Sequence, residues 1–233
     1  MSAITSFLEG STFFGVFFCL AAYFIGVLIQ KKLKLGIFNP LLVADVIVIA
    51  FLCLTGVDYA RFQESAQPLS FLLTPATVCL AVPLYRQLEQ LKRHWQAVIV
   101  GIVTGVMSSG LCIFLLSSLF GLSHVEYVSF LPKSITTAIG MSLTEELGGH
   151  VSITVGAIII TGLLGNMVGV SVLRLLHITE PVAKGIAMGS SSHAFGTARA
   201  LTMGEVEGAM SSLSIVISGL CTVVAAQMYA GLL

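Results

Sequence analysis

The chain has 233 residues, of which 56% are hydrophobic and only 9% are charged. Soluble domains carry about 25% charged residues, so this composition excludes an ordinary soluble protein and indicates an all-α, polytopic membrane protein. The formal net charge is zero, which removes the basic surface that nucleic-acid binding requires.

Four runs without Asp, Glu, Lys or Arg, of which the third contains His150, are long enough to cross a bilayer, which takes roughly 20 residues. They are residues 10–30, 96–123, 147–173 and 208–233. The five cysteines stand singly in apolar runs without CxxC spacing, which is typical of small buried side chains rather than of disulfides or metal ligands.

The first predicted helix covers residues 11–29 and is followed by a lysine cluster at 31–34, which the positive-inside rule places in the cytoplasm. The dipeptide Asn39-Pro40 then suits the start of a second helix, because Asn caps helices and Pro is tolerated at the first position. Asp45 follows one turn later. It is either a charge near the helix N-terminus at the membrane surface or a proton- or cation-coupling group.

Residues 58–67 are polar and predict a loop, and the apolar run 68–85 that follows contains three prolines. Because proline removes a backbone donor and disturbs the preceding turn, Thr74 and Pro75 predict a break that exposes backbone groups. Residues 86–95 form a basic, amphipathic connector that ends in an interfacial tryptophan. Gly101 and Gly105 in the next span have a spacing that would allow close helix contact.

The stretch 129–149 is too short and too interrupted for an ordinary span. Pro132 and Lys133 precede several hydroxyl residues, and the stretch ends in Glu145, Glu146 and two glycines. A re-entrant or broken helix fits this pattern, and its N-terminal N–H groups together with Lys133 would attract an anion.

The stretch 184–201 places many polar side chains where a lipid-facing helix would carry leucine or valine. They are Ser190, Ser191, Ser192, His193, Thr197 and Arg199. Unpaired polar groups are costly in a bilayer, so this cluster predicts a site facing a cavity or the protein interior. Gly189 and Gly196 bracket the cluster and weaken the helix. The alternative is a polar contact between two helices.

The predicted total is about seven or eight membrane segments in one integral domain over residues 1–233. Each half contains an interrupted segment followed by a long span, as in the repeated architecture of secondary transporters. A two-fold repeat with halves at about 11–123 and 127–233 is therefore a hypothesis.

Four segments of the sequence resemble the signature segments of the LrgB family. They are residues 39–42, 131–137, 145–149 and 192–199, and residues 207–213 continue the pattern. The sequence departs from the family pattern in two places: Ala138 stands where proline is usual, and Ser190 to Ser192 stand where Gly-Thr-Ala or Gly-Thr-Ser is commoner.

This resemblance implies a multi-pass protein of the bacterial cytoplasmic membrane that works beside a small LrgA- or CidA-type membrane partner. Family members are described as antiholin-like or holin-like modulators of murein hydrolase activity and cell lysis. Relatives are also implicated in pyruvate transport, and the plastidial glycolate/glycerate translocator carries a similar domain.

The main functional hypothesis is a carrier for a small carboxylate such as pyruvate, lactate or glycolate, without cofactor or metal. Lys133 and Arg199 would neutralise the carboxylate, and His193, with Glu145 as a second candidate, would couple a proton. The hydroxyl side chains predicted to complete the binding site are Ser134, Thr136, Thr137, Ser191, Ser192 and Thr197.

Each charged or imidazole residue also has a structural alternative. Lys133 would extend to lipid headgroups, Arg199 would anchor the chain in the cytoplasm, His193 would be a packing residue with satisfied hydrogen bonds, and Glu145 would lie in a solvated loop. The alternative function is then a lysis-control scaffold or pore, formed as a homodimer or higher oligomer in membrane lipid with the small partner. An enzyme is not expected, because GxSxG, HExxH, DxD and phosphate-loop motifs are absent from the sequence.

Overall fold

The computed structural model describes residues 10–33, 40–72, 75, 78–79, 81–86 and 88–233. This described part is helical without strands, in agreement with the predicted class. The chain divides into two compact units, Met1–Cys79 and Leu80–Leu233.

Four of the described helices are long and apolar enough to cross a membrane, and they match the four uncharged runs of the sequence. Their outer faces carry large exposed apolar side chains such as Phe17, Leu119 and Leu220, as expected of helices that face lipid. The chain is therefore a helical membrane protein. The predicted count of seven or eight segments is not confirmed, since the other described helices are shorter or more polar.

The first unit contains three helices. They are α1 (Phe14–Leu33), α2 (Pro40–Thr55) and α3 (Tyr59–Phe71). Phe14 and Phe18 of α1 pack against Phe51 of α2 and Phe62 of α3, with ring centroids 4.2 Å apart in the closest pair and 6.3 Å apart in the widest. The N–H of Gly15 also donates a hydrogen bond to the Ser65 hydroxyl at 3.0 Å. Aromatic packing and this bond hold α3 against α1.

The prediction of a loop over residues 58–67 is wrong, because α3 begins at Tyr59. Asp58 caps this helix: its Oδ1 accepts a hydrogen bond from the backbone N–H of Arg61 at 3.0 Å. Polar side chains such as Arg61 and Glu64 occupy its exposed face, whereas Phe62 and Ser65 are buried. The polar composition reflects an amphipathic helix rather than a loop.

The second unit contains the remaining seven helices that we name. They are α4 (Ala81–Arg86), α5 (Leu88–Phe120), α6 (His124–Phe130), α7 (Thr137–Glu146), α8 (Val151–Leu175), α9 (Pro181–Leu201) and α10 (Glu205–Ala230). Helix α10 is the central helix of this unit, since 56% of its most apolar stretch is buried, against 22% in α5 and 22% in α8. Tyr229 of α10 donates a hydrogen bond to the carbonyl of Met107 at 2.8 Å and accepts one at its own carbonyl from Tyr127 at 2.9 Å. These bonds connect α10 to α5 and α6.

A buried hydroxyl network fixes the ends of α6, α7 and α8. The Thr154 hydroxyl donates to the carbonyl of Ser129 at 2.8 Å and lies 2.7 Å from the Thr144 hydroxyl. The Ser129 hydroxyl in turn accepts from the N–H of His150 at 2.7 Å. Because these groups are paired, the network holds the ends of α6 and α7 against the start of α8.

Helix α9 is broken in its middle. Ser192 has φ −136° and ψ 16°, and His193 has φ 40° and ψ −129°. A non-glycine residue in such a conformation costs on the order of 1–3 kcal/mol. The surrounding packing offsets this cost, since His193 is 3% exposed and its Nε2 lies 3.0 Å from the carbonyl oxygen of Ile158 on α8.

Candidate functional site

A groove lined by serine residues and one lysine lies in the second unit and has a volume of about 290 Å³. We call it the Lys133 groove. Its lining residues are Gly105, Ser108, Ser109, Cys112, Lys133, Ser134, Ser190 and Ser191. Three parts of the chain therefore build it: one face of α5, the turn 131–136, and α9 just before its break.

Helix α5 supplies four lining positions at the helical spacing i, i+3, i+4 and i+7, which places them on one face. Gly105 leaves this face open, since a Cβ atom there would lie 3.7 Å from the Ser190 hydroxyl oxygen. Ser108 donates its hydroxyl to the carbonyl of Thr104 at 2.7 Å. Ser109 makes no hydrogen bond to the described part of the chain, so its hydroxyl is free to donate to a ligand.

The turn 131–136 presents Lys133 and Ser134 to the groove. Leu131 and Ile135 on either side are 5% and 1% exposed, and they anchor the turn in the core. The Lys133 ammonium donates a hydrogen bond to the Ser134 hydroxyl at 3.0 Å, which leaves its other N–H groups available. Lys133 lies outside the candidate spans, and burial lowers the pKa of its ammonium.

Helix α9 completes the wall with Ser190 and Ser191. Their hydroxyls donate to the carbonyls of Ile186 and Ala187, at 2.7 and 2.6 Å. Each hydroxyl is thus bonded to a carbonyl of its own helix, and the Ser191 hydroxyl also lies 3.0 Å from the Ser192 hydroxyl. The Ser190 hydroxyl has lone pairs left to accept a further bond.

The electrostatics of the Lys133 groove favour an anion. No carboxylate within the described ranges lies within 4.0 Å of Lys133, so this half-buried cation has no acidic partner there. A small carboxylate would pair with the ammonium and accept a bond from Ser109. Charge-assisted hydrogen bonds of this kind are about twice as strong as neutral ones.

The structure brings together three of the predicted binding residues, Lys133, Ser134 and Ser191. Others lie in helix contacts instead. Ser192 is buried against Gly165 of α8, and the Thr197 hydroxyl lies 2.7 Å from the Ser211 hydroxyl on α10.

Three predicted sites lie away from the groove lining. His193 is held by the carbonyl of Ile158, between α8 and α9. Arg199 is exposed near the end of α9, and Glu145 is exposed on α7. Their predicted roles in carboxylate binding and proton coupling stay predictions.

The remaining predicted positions are distributed over both units. Thr136 and Thr137 are half-buried at the start of α7, outside the groove lining. Gly189 packs against the backbone of α10, and Gly196 is buried within α9. In the first unit, α2 begins at Pro40, Asp45 is half-buried and Pro75 is exposed, whereas Asn39 and Thr74 lie outside the described residues.

The groove also contains three lining residues that the sequence does not predict as part of a site, Ser108, Ser109 and Cys112. The sequence pattern that could have identified them is the run of small side chains that continues from Gly105 at helical spacing. We expected Gly101 and Gly105 to mark a close helix contact, but a Cβ atom at either would meet its nearest neighbour at 3.6 or 3.7 Å. Gly105 instead keeps the groove open.

Comparison with known proteins gives a consistent result over nearly the whole chain. The model of the LrgB-like family matches residues 19–232. The antiholin-like protein LrgB of Bacillus subtilis (strain 168) is 37% identical over 224 residues, which cover 96% of this chain and 97% of the relative. Proteins of the same name from Bacillus cereus (strain B4264) and Bacillus anthracis (strain CDC 684 / NRRL 3495) are 36% identical over 218 residues, 93% of this chain and 95% of each relative. No solved structure matches.

Proposed function

Because the chain belongs to the LrgB-like family, we propose that it acts as an antiholin-like membrane protein. The support is the name that its relatives carry, together with the near-complete coverage of both chains. This function is the alternative to the carrier that the sequence also predicts, and the comparisons favour it over the carrier. In this role the protein restrains cell lysis as an oligomer, together with a small LrgA- or CidA-type membrane partner.

Removing the protein from its own cells should increase detergent-induced autolysis, and restoring it should return autolysis to the original rate. The measurement is the fall in culture turbidity, with murein hydrolase activity followed in parallel. Complementation with the Lys133→Gln variant shows whether the antiholin-like function depends on the Lys133 groove. Equal autolysis with and without the protein would contradict the antiholin-like function.

The Lys133 groove favours a second function, the transport of a small organic anion. The observation that supports it is a cation without an acidic partner among the described residues, set among hydroxyl groups in a cavity of about 290 Å³. The break in α9 directly beside Ser190 and Ser191 supports it further, since interrupted helices line the substrate sites of many secondary transporters. Saturable uptake of labelled pyruvate, lactate or glycolate into proteoliposomes is the direct test. Absence of uptake, with and without the small partner, would contradict the transport function and leave the antiholin-like function as the one remaining proposal.

Cys112 provides a test of anion binding that does not need transport. This thiol is exposed and lines the groove with Lys133. In a full-length variant that keeps only Cys112, an anionic methanethiosulfonate reagent should react faster than a cationic one, because Lys133 attracts it. Lactate should slow the reaction by occupying the groove.

The matched control keeps only Cys221, which lines an apolar groove between α5 and α10. Labelling at Cys221 should show neither the charge preference nor the protection. Equal protection at both cysteines would indicate a general effect of the anion, and absence of protection at Cys112 would contradict anion binding in the Lys133 groove.

A further inference from the structure

The first unit contains a polar pocket that neither proposed function uses. Its volume is about 240 Å³, and its lining residues are Gly10, Ser11, Thr12, Arg61, Glu64 and Ser65. The residues that precede α1 therefore form one side of this pocket, and α3 forms the other side. We call it the Arg61 pocket.

The position of α1 places the Arg61 pocket at the level of the lipid headgroups. Helix α1 has 20 residues and is apolar enough to cross a membrane. A helix of this length measures about 30 Å, which equals the thickness of the hydrocarbon core. Residues 10–12 directly precede α1, so they lie at the boundary between lipid and water. Ser65 of α3 is bonded to Gly15 in the first turn of α1, so α3 lies at the same level.

Arg61 and Glu64 are the charged side chains of the pocket. The Nη1 atom of Arg61 lies 3.6 Å from the Oε2 atom of Glu64, and the two side chains are 64% and 72% exposed. This distance is longer than the roughly 2.7–2.9 Å of a charge-assisted hydrogen bond, and exposed ion pairs contribute little stability. Both groups therefore keep most of their hydrogen-bonding capacity for a ligand.

The hydroxyl groups of the pocket are of two kinds. Ser65 is buried; its hydroxyl donates to the carbonyl of Phe62 at 2.8 Å and accepts from the N–H of Gly15. It thus holds α3 against α1. The hydroxyls of Ser11 and Thr12 make no hydrogen bond within the described ranges, so they can donate to a ligand oxygen.

Apolar side chains lie beside these polar groups on the lipid side. Phe13, which follows Thr12 directly, is 55% exposed, and Phe17 one turn further along α1 is 72% exposed. A ligand with a polar end in the pocket and apolar chains along α1 therefore finds suitable surfaces for both parts. Membrane phospholipids have this form.

We propose that the Arg61 pocket binds the headgroup of phosphatidylethanolamine. The phosphate accepts hydrogen bonds from Arg61, Ser11 and Thr12, and the ammonium donates to the carboxylate of Glu64. The two charges of this headgroup are separated by two carbon atoms, so it reaches both charged side chains at once. A headgroup without an ammonium leaves Glu64 unpaired, and a choline headgroup has no N–H to donate.

Native mass spectrometry of the full-length protein in detergent tests this proposal. Phosphatidylethanolamine and phosphatidylcholine with the same acyl chains both lack net charge, so basic surfaces elsewhere do not distinguish them. The ethanolamine lipid should bind roughly two- to fivefold more tightly, the effect of one exposed charged hydrogen bond. Glu64→Ala should abolish this preference, and Arg61→Ala should weaken the binding of both lipids by a similar factor.

Glu180→Ala and Arg86→Ala are the matched controls, because they remove exposed charges of the same sign outside the pocket. Both controls should bind the two lipids as the original protein does, and size-exclusion chromatography shows whether each variant is folded.

Equal binding of the two lipids by the original protein would overturn phosphatidylethanolamine as the ligand. Unchanged binding in the Arg61→Ala variant would overturn the assignment of the pocket. Tighter binding of phosphatidylglycerol that is lost in the same variant would overturn the ammonium contact and identify an anionic headgroup. Soluble glycerophosphoethanolamine should compete only in large excess, and competition at equal concentration would overturn a membrane lipid as the occupant.

Discussion

Replacing Gly189 by alanine should destabilise the second unit by about 3 kcal/mol, at the upper end of what overpacking costs. The Cβ atom of the new residue would overlap the carbonyl oxygen of Ser211 on α10 and lie 2.8 Å from its Cα atom. Because these are backbone atoms of the central helix, no side-chain rotation relieves the overlap. Separation of α9 from α10 would also break the hydrogen bond between Thr197 and Ser211.

The stability of this variant can be followed by heating the detergent-solubilised protein and measuring the folded fraction by size-exclusion chromatography. Gly156→Ala is the matched control, since Gly156 lies within α8 and a Cβ atom there meets no atom within 4 Å. That control should be as stable as the original protein or more stable by about 0.5–1 kcal/mol, because alanine favours the helix over glycine. Equal heat stability of the two variants would contradict the close contact between α9 and α10.

Replacing Lys133 by glutamine should weaken the binding of small carboxylates roughly ten- to hundredfold, as expected for a lost hydrogen bond to a charged group. Glutamine retains a donor near Ser134 but removes the positive charge. Burial lowers the pKa of Lys133, so its charge is lost at a less alkaline pH than that of an exposed lysine. Binding to the original protein should therefore fall as pH rises toward that pKa, whereas the weak binding of the glutamine variant should lack this dependence.

Arg199→Gln is the informative comparison, because Arg199 is exposed and lies outside the groove lining. In this variant, lactate should protect Cys112 from labelling as well as it does in the original protein. A loss as large as that of Lys133→Gln would instead support the role for Arg199 that the sequence predicts. Ser134→Ala, which removes one neutral hydroxyl from the groove, should weaken carboxylate binding less than Lys133→Gln does.

The long helices could be predicted because their signal is local. Residues 96–123 and 208–233 are uncharged over a length that only a bilayer or a deep core accommodates. The candidate spans Lys92–Phe120 of α5 and Glu205–Ala230 of α10 follow these runs within a few residues. The helix over the polar stretch after residue 58 was harder to predict, since it depends on burying Phe62 and Ser65 against α1. The residues that make this contact lie far apart in the sequence.

The candidate site could be predicted only in part, for the same reason. Lys133 and Ser191 stand out because a charge and a hydroxyl are unusual among apolar residues. Ser108 and Ser109 do not stand out, since small hydroxyl residues are common at helix contacts in membranes. Whether such a residue lines a cavity or packs against a neighbour depends on the pairing of α5, α9 and α10, which one sequence does not specify.

A helix transmits rotation along its axis while each turn is bonded to the next. In α9 this continuity stops at Ser192 and His193, whose backbone angles are not helical. The two halves of α9 are instead joined through α10, because Gly189 before the break packs against the Ser211 backbone and the Thr197 hydroxyl after it lies 2.7 Å from the Ser211 hydroxyl. A displacement of α10 at Ser211 would therefore act on both halves at once.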